Sequence, residues 1–163
     1  MGSTVAIMMG SDSDMKYVEP GIQILKDFGL EPTVRILSAH RTPEDLIGFV
    51  RDAEKAGYQV LIAAAGGAAH LAGAVAAHTT LPVIGVPIPS TPLSGMDALL
   101  ATVQMPSGVP VACMAIGSAG ASNAALFAIE ILALNDPQLK DRLVAFRRGK
   151  ADGVRREDAK LNF

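Results

Sequence analysis

The stretch Val5-Ala6-Ile7-Met8-Met9-Gly10-Ser11-Asp12-Ser13-Asp14 decides the fold: five apolar residues run without alternation into a turn of glycine, hydroxyls and acids. A short, unbroken apolar run bounded by turn residues reads as a strand buried on both faces, as in a parallel sheet. Ser13 or Asp14 is placed to cap a following helix, whose apolar stripe is Val18, Ile22, Leu25 and Phe28. Pro20-Gly21 interrupts that stripe and predicts a kink or a late helix start. Gly29 closes it.

The same strand, turn and helix sequence recurs along the chain. Thr33–Leu37 leads into Ser38-Ala39-His40-Arg41-Thr42-Pro43, with Thr42 as helix cap, Pro43 at the first helical position and Glu44-Asp45 in the first turn. Leu46, Phe49, Val50 and Ala53 form the buried face of that helix, and Gly57 ends it. Gln59–Ala64 feeds Ala65-Gly66-Gly67-Ala68-Ala69-His70 and a short alanine-rich helix to about His78. A fourth strand covers Pro82–Val86; Pro87-Ile88-Pro89-Ser90-Thr91-Pro92 is too proline-rich for helix or inner strand. Ser94–Asp97 opens a helix that stops before Pro106. A fifth strand, Val111–Ile116, passes through a glycine and serine loop into a helix over roughly Ala121–Leu134. The last helix starts at Asp136-Pro137 and ends near Lys150, leaving Ala151–Phe163 as a polar, loosely held tail.

Strands alternating with helices specify an α/β fold with a parallel five-stranded sheet. The flavodoxin-like order 2-1-3-4-5 puts the switch point between strands one and three, where ligands bind in such sheets. The Gly10–Asp14 and Ala65–His70 loops then face each other, flanked by Ser38–Thr42.

Composition narrows the partners. The 163 residues suit a single domain, and a net charge of -2 gives no bulk attraction to nucleic acid or anionic membranes. Tryptophan is absent, and no extended basic stretch exists. The lone Cys113, in an apolar run, excludes an intrachain disulfide and reads as a small buried hydrophobe. The first apolar segment lacks the basic lead of a signal peptide, and Gly117–Asn123 breaks the one long apolar region, so a cytoplasmic protein is expected. With 50% hydrophobic and 18% charged residues, some surface is expected to meet other subunits.

Three turns carry the candidate chemistry. Gly10-Ser11-Asp12-Ser13-Asp14 offers backbone N–H groups, hydroxyls and a helix start to a phosphate, with a carboxylate for ribose hydroxyls. It matches neither the P-loop nor the dinucleotide fingerprint. His40 can donate and accept a proton near neutrality, and Arg41 beside it binds phosphate or carboxylate. Gly66-Gly67 lets a ligand approach the backbone, with His70 in the following turn. His78 reads as a helix-end residue, and histidines at 40, 70 and 78 make a poor metal site. These residues imply acid–base chemistry on a small phosphorylated molecule.

The chain resembles the N5-carboxyaminoimidazole ribonucleotide mutases of purine biosynthesis, the bacterial class I phosphoribosylaminoimidazole carboxylase catalytic subunit family. The resemblance spans about Val5 to Arg148. It is carried by Met9–Asp14, Ser38–Pro43, Gly66–Leu71, Leu93-Ser94-Gly95-Met96-Asp97, Gln104-Met105-Pro106 and Asn123-Ala124-Ala125-Leu126. Met15 stands where the family often has tryptophan and Ala72 where it has proline; Pro20-Gly21 is not typical of it.

The resemblance implies a three-layer αβα sandwich with a C-terminal helix, one mutase domain (core about 4–150, tail 151–163), a homo-octamer, and no metal or organic cofactor. The implied substrate is a small ribonucleotide, with no nucleic-acid or membrane partner. Of the site residues, His40 matches the general acid/base. Ser11, Asp14 and Arg41 match substrate-binding positions; Gly10, Ser13, Ser38, Gly66, Gly67 and His70 are further lining. The Gly66-Gly67 N–H groups are the expected cradle for CO2. A related carboxylase that uses free CO2 tends to carry Ser-Ala-His-Lys where Arg41 stands here. A non-catalytic nucleotide-binding domain of the same fold is the other alternative.

Overall fold

Five parallel strands form one sheet in the order β2-β1-β3-β4-β5 in the computed structural model, which describes residues 4–161. They are β1 (Val5–Met9), β2 (Thr33–Ile36), β3 (Val60–Gly66), β4 (Val83–Ile88) and β5 (Ala112–Cys113). The helices are α1 (Met15–Asp27), α2 (Pro43–Asp52), α3 (Leu71–Ala76), α4 (Met96–Val103), α5 (Ser118–Leu132) and α6 (Pro137–Asp158). Contacts divide the chain into two compact units, residues 1–128 and 129–163.

In the first unit every residue of β1 is buried, as continuous hydrophobicity requires of a central parallel strand. Its side chains alternate between the faces. Ala6 and Met8, with Leu61 and Ala63 of β3, meet Leu46 and Val50 of α2 and Leu71 and Val75 of α3. Val5, Ile7 and Met9 take the other face, where they too are buried. Register aligns the strand ends: Met9 pairs with Ile36 and Ala64, and Gly66 with Ile88. All the loops after β1 to β4 therefore leave from one rim.

Several boundaries differ from those expected. α1 neither starts late nor breaks at Pro20; it runs unbroken from Met15 to Asp27, preceded by a 3-10 turn at Asp12–Asp14. Gly21 serves contact instead, because a Cβ there would lie 2.5 Å from the Ala121 carbonyl oxygen of α5. Asp14 occupies the cap position of α1, as one of the two expected candidates, but its side chain makes no capping bond there; the capping bond in this loop is made by Ser11, to the 3-10 turn. β4 continues through Pro87 and Ile88, although a proline was expected to exclude an inner strand. Pro87 is tolerated because β5 has ended at Cys113. The Pro87 carbonyl accepts from Gly117 N at 2.8 Å, so its nitrogen, on the same side of an extended strand, faces a place with no ladder.

β5 is shorter than Val111–Ile116, with one further ladder bond from Met114 N to Gly85 O at 2.9 Å. Cys113 within it is half-buried rather than buried, its thiol pushed up by desolvation. α5 begins three residues earlier than read, at Ser118.

In the second unit, Asp136 caps α6 by accepting from Leu139 N at 3.0 Å, with Pro137 at the first position. Leu139 and Leu143 are buried, and Arg147 pairs with Glu130. Helix continues to Asp158, so most of the segment expected to be a loose tail is helical; its last two residues lie outside the described range. Among the described residues no helix is long and apolar enough to cross a membrane.

Candidate functional site

The rim of the first unit holds a cavity of about 330 Å³, within the usual range for small-molecule sites. Its wall includes Gly10, Ser11, Ser13 and Asp14 from the β1 loop. The β2 loop adds Ser38, His40 and Arg41, and the end of β3 and its loop add Gly66 and His70. Every site residue expected from the sequence lies on this wall except Gly67. That residue sits beside it at φ +59°, a conformation that favours glycine.

The β1 loop is braced internally. Ser11 Oγ donates to Asp12 Oδ1 at 3.1 Å and accepts from the Ser13 hydroxyl at 3.0 Å. Asp14 is only 5% exposed. Burial pushes its carboxyl above the usual carboxylate range, and the Ser11 backbone N–H and the Arg41 charge only partly oppose that. A carboxylate held at such cost is fitted to accept hydrogen bonds from a ligand's hydroxyls.

The β2 loop is fastened by Thr42, whose hydroxyl makes no capping bond to α2. It accepts from Ser38 N at 3.0 Å and faces Ser38 O at 3.3 Å, closing the turn that carries His40 and Arg41. Ser38 Oγ then accepts from Arg41 N at 3.1 Å and Arg41 Nε at 3.3 Å. Arg41 Nη2 donates to the Gly10 carbonyl at 2.5 Å, tying the β1 and β2 loops together. The guanidinium has five N–H donors, so its fork keeps capacity for an anion.

His40 reaches across to the β3 loop. Its Nε2 lies 2.7 Å from His70 Nδ1, with the rings edge-to-face at 83°. One ring donates and the other accepts, so protonation of His40 leaves a hydrogen bond from Nε2 to a neutral His70 intact. Both side chains are exposed at the cavity, where a proton can pass to a bound molecule. His70 occupies the cap position of α3 without making a capping bond, so its ring is committed to His40. His78 instead bonds Ala74 O at 2.8 Å, away from the cavity, as a helix-end residue does. Among the described residues, no three His, Cys, Asp or Glu side chains gather closely enough to hold a metal ion.

The sequence reading missed Ser90, which joins the wall from the loop after β4. A Cβ at Gly66 would stand 1.9 Å from Ser90 Oγ, so the glycine is needed for the serine to close in. The signal was present: Ser90 follows a strand on the same rim. Ending that strand at Val86 concealed it.

Residues 4–152 match the AIR carboxylase family. The N5-carboxyaminoimidazole ribonucleotide mutase of Saccharolobus solfataricus is 55% identical over 87% of this chain and 89% of its own. That of Mycobacterium tuberculosis is 51% identical over 96% and 89%. Among solved structures, Treponema denticola PurE superposes with a TM-score of 0.88 at 32% identity, covering 98% of both chains.

Proposed function

The chain belongs to the AIR carboxylase family, and from that premise we infer its reaction. It is an enzyme of purine biosynthesis that converts N5-carboxyaminoimidazole ribonucleotide to 4-carboxy-5-aminoimidazole ribonucleotide. The observation that carries the reading is the convergence of a histidine, a guanidinium and a buried carboxylate on one cavity wall. Arg41 and the β1 loop take the phosphate, and Asp14 with Ser11 takes the ribose hydroxyls. The phosphate end then lies toward β1 and β2, with the ring toward β3.

Protonated His40 is the general acid. As the carbamate N–C bond breaks, its electron pair returns to N5, which takes a proton from His40, and CO2 is released. The electron-rich ring then forms a bond from C4 to that CO2. Neutral His40 removes the C4 proton, restoring aromaticity. Donation and removal cancel, so one imidazole serves both steps. The Gly66-Gly67 backbone N–H groups are the cradle for CO2, which must be held briefly in a site that excludes water. His70, bonded to His40 Nε2, keeps that ring oriented in both protonation states.

We read residues 1–163 as one cytoplasmic mutase domain assembling as a homo-octamer. An exposed apolar stripe on α4 supports the assembly: Met96, Leu100 and Val103 are each about half exposed, at the spacing of one helical face.

The test supplies purified N5-carboxylated ribonucleotide and, separately, aminoimidazole ribonucleotide with bicarbonate. Faster product formation from the carbamate is expected; turnover only with bicarbonate would assign the carboxylase reaction instead. His40→Asn should abolish turnover, a loss of more than about a hundredfold, while nucleotide affinity by calorimetry stays nearly unchanged.

A further inference from the structure

One hydroxyl on the cavity wall has no partner among the described residues. Ser90 N donates to Ile88 O at 3.0 Å, whereas Ser90 Oγ is exposed at the cavity and unbonded. It is nonetheless held in place. On one side it presses on Gly66, where a Cβ would meet its Oγ at 1.9 Å and its Cβ at 2.8 Å. On the other, Thr91 Oγ1 donates to Asp97 Oδ2 at 2.7 Å and accepts from Leu93 N at 3.2 Å, while Ser94 N donates to Thr91 O at 3.0 Å. That clasp fixes the loop immediately after Ser90.

Resting on the mutase reading, the substrate brings two anionic groups to one cavity. Among the described residues, Arg41, from the loop after β2, is the only Lys or Arg on the wall. The phosphate belongs there. Arg41 is tied to Gly10 after β1, whereas Ser90 follows β4 and packs on Gly66 at the end of β3, so the two groups lie toward different strands of the rim. A ribonucleotide lying along the rim with its phosphate at Arg41 carries its ring over β3 and the migrating carboxyl group toward Ser90, the free donor at that end.

We propose that the Ser90 hydroxyl holds the migrating carboxyl group, first as the N5 carbamate, then as free CO2, then as the C4 carboxylate. A neutral donor suits this role. A cation would stabilise the carbamate far more than uncharged CO2 and so raise the barrier to breaking the N–C bond. A hydroxyl bonds all three species with less discrimination and rotates to follow the group from N5 to C4.

The experiment uses substrate labelled with 13C in the carbamate, turned over in buffer containing unlabelled bicarbonate, with product mass measured and enzyme-free loss subtracted. Wild-type enzyme keeps the label. Ser90→Ala is expected to lower kcat about tenfold and to lose label to solution, while affinity for aminoimidazole ribonucleotide changes less than about twofold. Because the variant only removes an atom, folding is checked by its unchanged thermal midpoint. Wild-type kcat and label retention in Ser90→Ala would overturn the proposal. Weakened ribonucleotide affinity with the label kept would also overturn it, placing Ser90 at the other end of the substrate. A wild-type enzyme that forms product but releases its label overturns it as well. An inactive wild type would instead strike at the mutase reading itself.

Discussion

At the scale of single residues, Asp14 shows function set against stability. Burial raises its folded pKa above the ordinary carboxylate value of 3.8, so the native state holds this proton more tightly than the unfolded chain does. Stability linked to Asp14 is therefore full below 3.8 and lost as pH rises through the raised value. At neutral pH the ionised carboxylate costs stability in the free enzyme. Asp14→Asn should melt higher than wild type at pH 7, with the difference shrinking as pH falls through the raised pKa, and should bind ribonucleotide far more weakly. Thermal melts across pH read the first effect and calorimetry the second; a variant that melts lower at pH 7 contradicts the burial argument. His40, Arg41 and the β1 loop were legible in the sequence because each follows an apolar run. The contact between His40 and His70 was not, because 30 positions separate them and only the sheet brings them together.

Among the elements, alternation of strand and helix revealed the sheet and its order, because a buried parallel strand reads as an unbroken apolar run. Strand ends were harder. Pro87 looked like a terminator, yet it falls where β5 no longer asks for a donor. Met114–Ile116 looked like strand, yet only one ladder bond follows Cys113. Residues 151–158, the end of α6, read as loose chain although Ala151, Arg155, Arg156 and Glu157 favour helix. Pro20-Gly21 looked like a break and proved to be a seat for α5. Gly21→Ala tests that seat. Helix propensity alone favours alanine by about 1 kcal/mol. The obstructing atoms, however, are the Ala121 carbonyl at 2.5 Å and 3.0 Å, and backbone cannot rotate away. Overpacking of about 1–3 kcal/mol should win, lowering the melting midpoint by several degrees. A midpoint that rises would mean the two helices separate freely.

For the whole molecule, the assembly is the open quantity that composition bears on. Light scattering should give a particle eight times 16.9 kDa. The double change Met96→Glu and Leu100→Glu, on the exposed stripe of α4, should yield a smaller, still folded species with unchanged far-ultraviolet circular dichroism. An octamer that survives both charges would move the interface to another surface.

The strand order carries a further consequence for how the molecule forms. Because all neighbours in the sheet are parallel, no strand can zip to the next through a hairpin, and the inner strand β1 waits for β3, more than fifty positions later, to complete its second edge. A ribosome must release the chain beyond Gly66 before the middle of the sheet can close, so the apolar centre spends its longest exposure during synthesis.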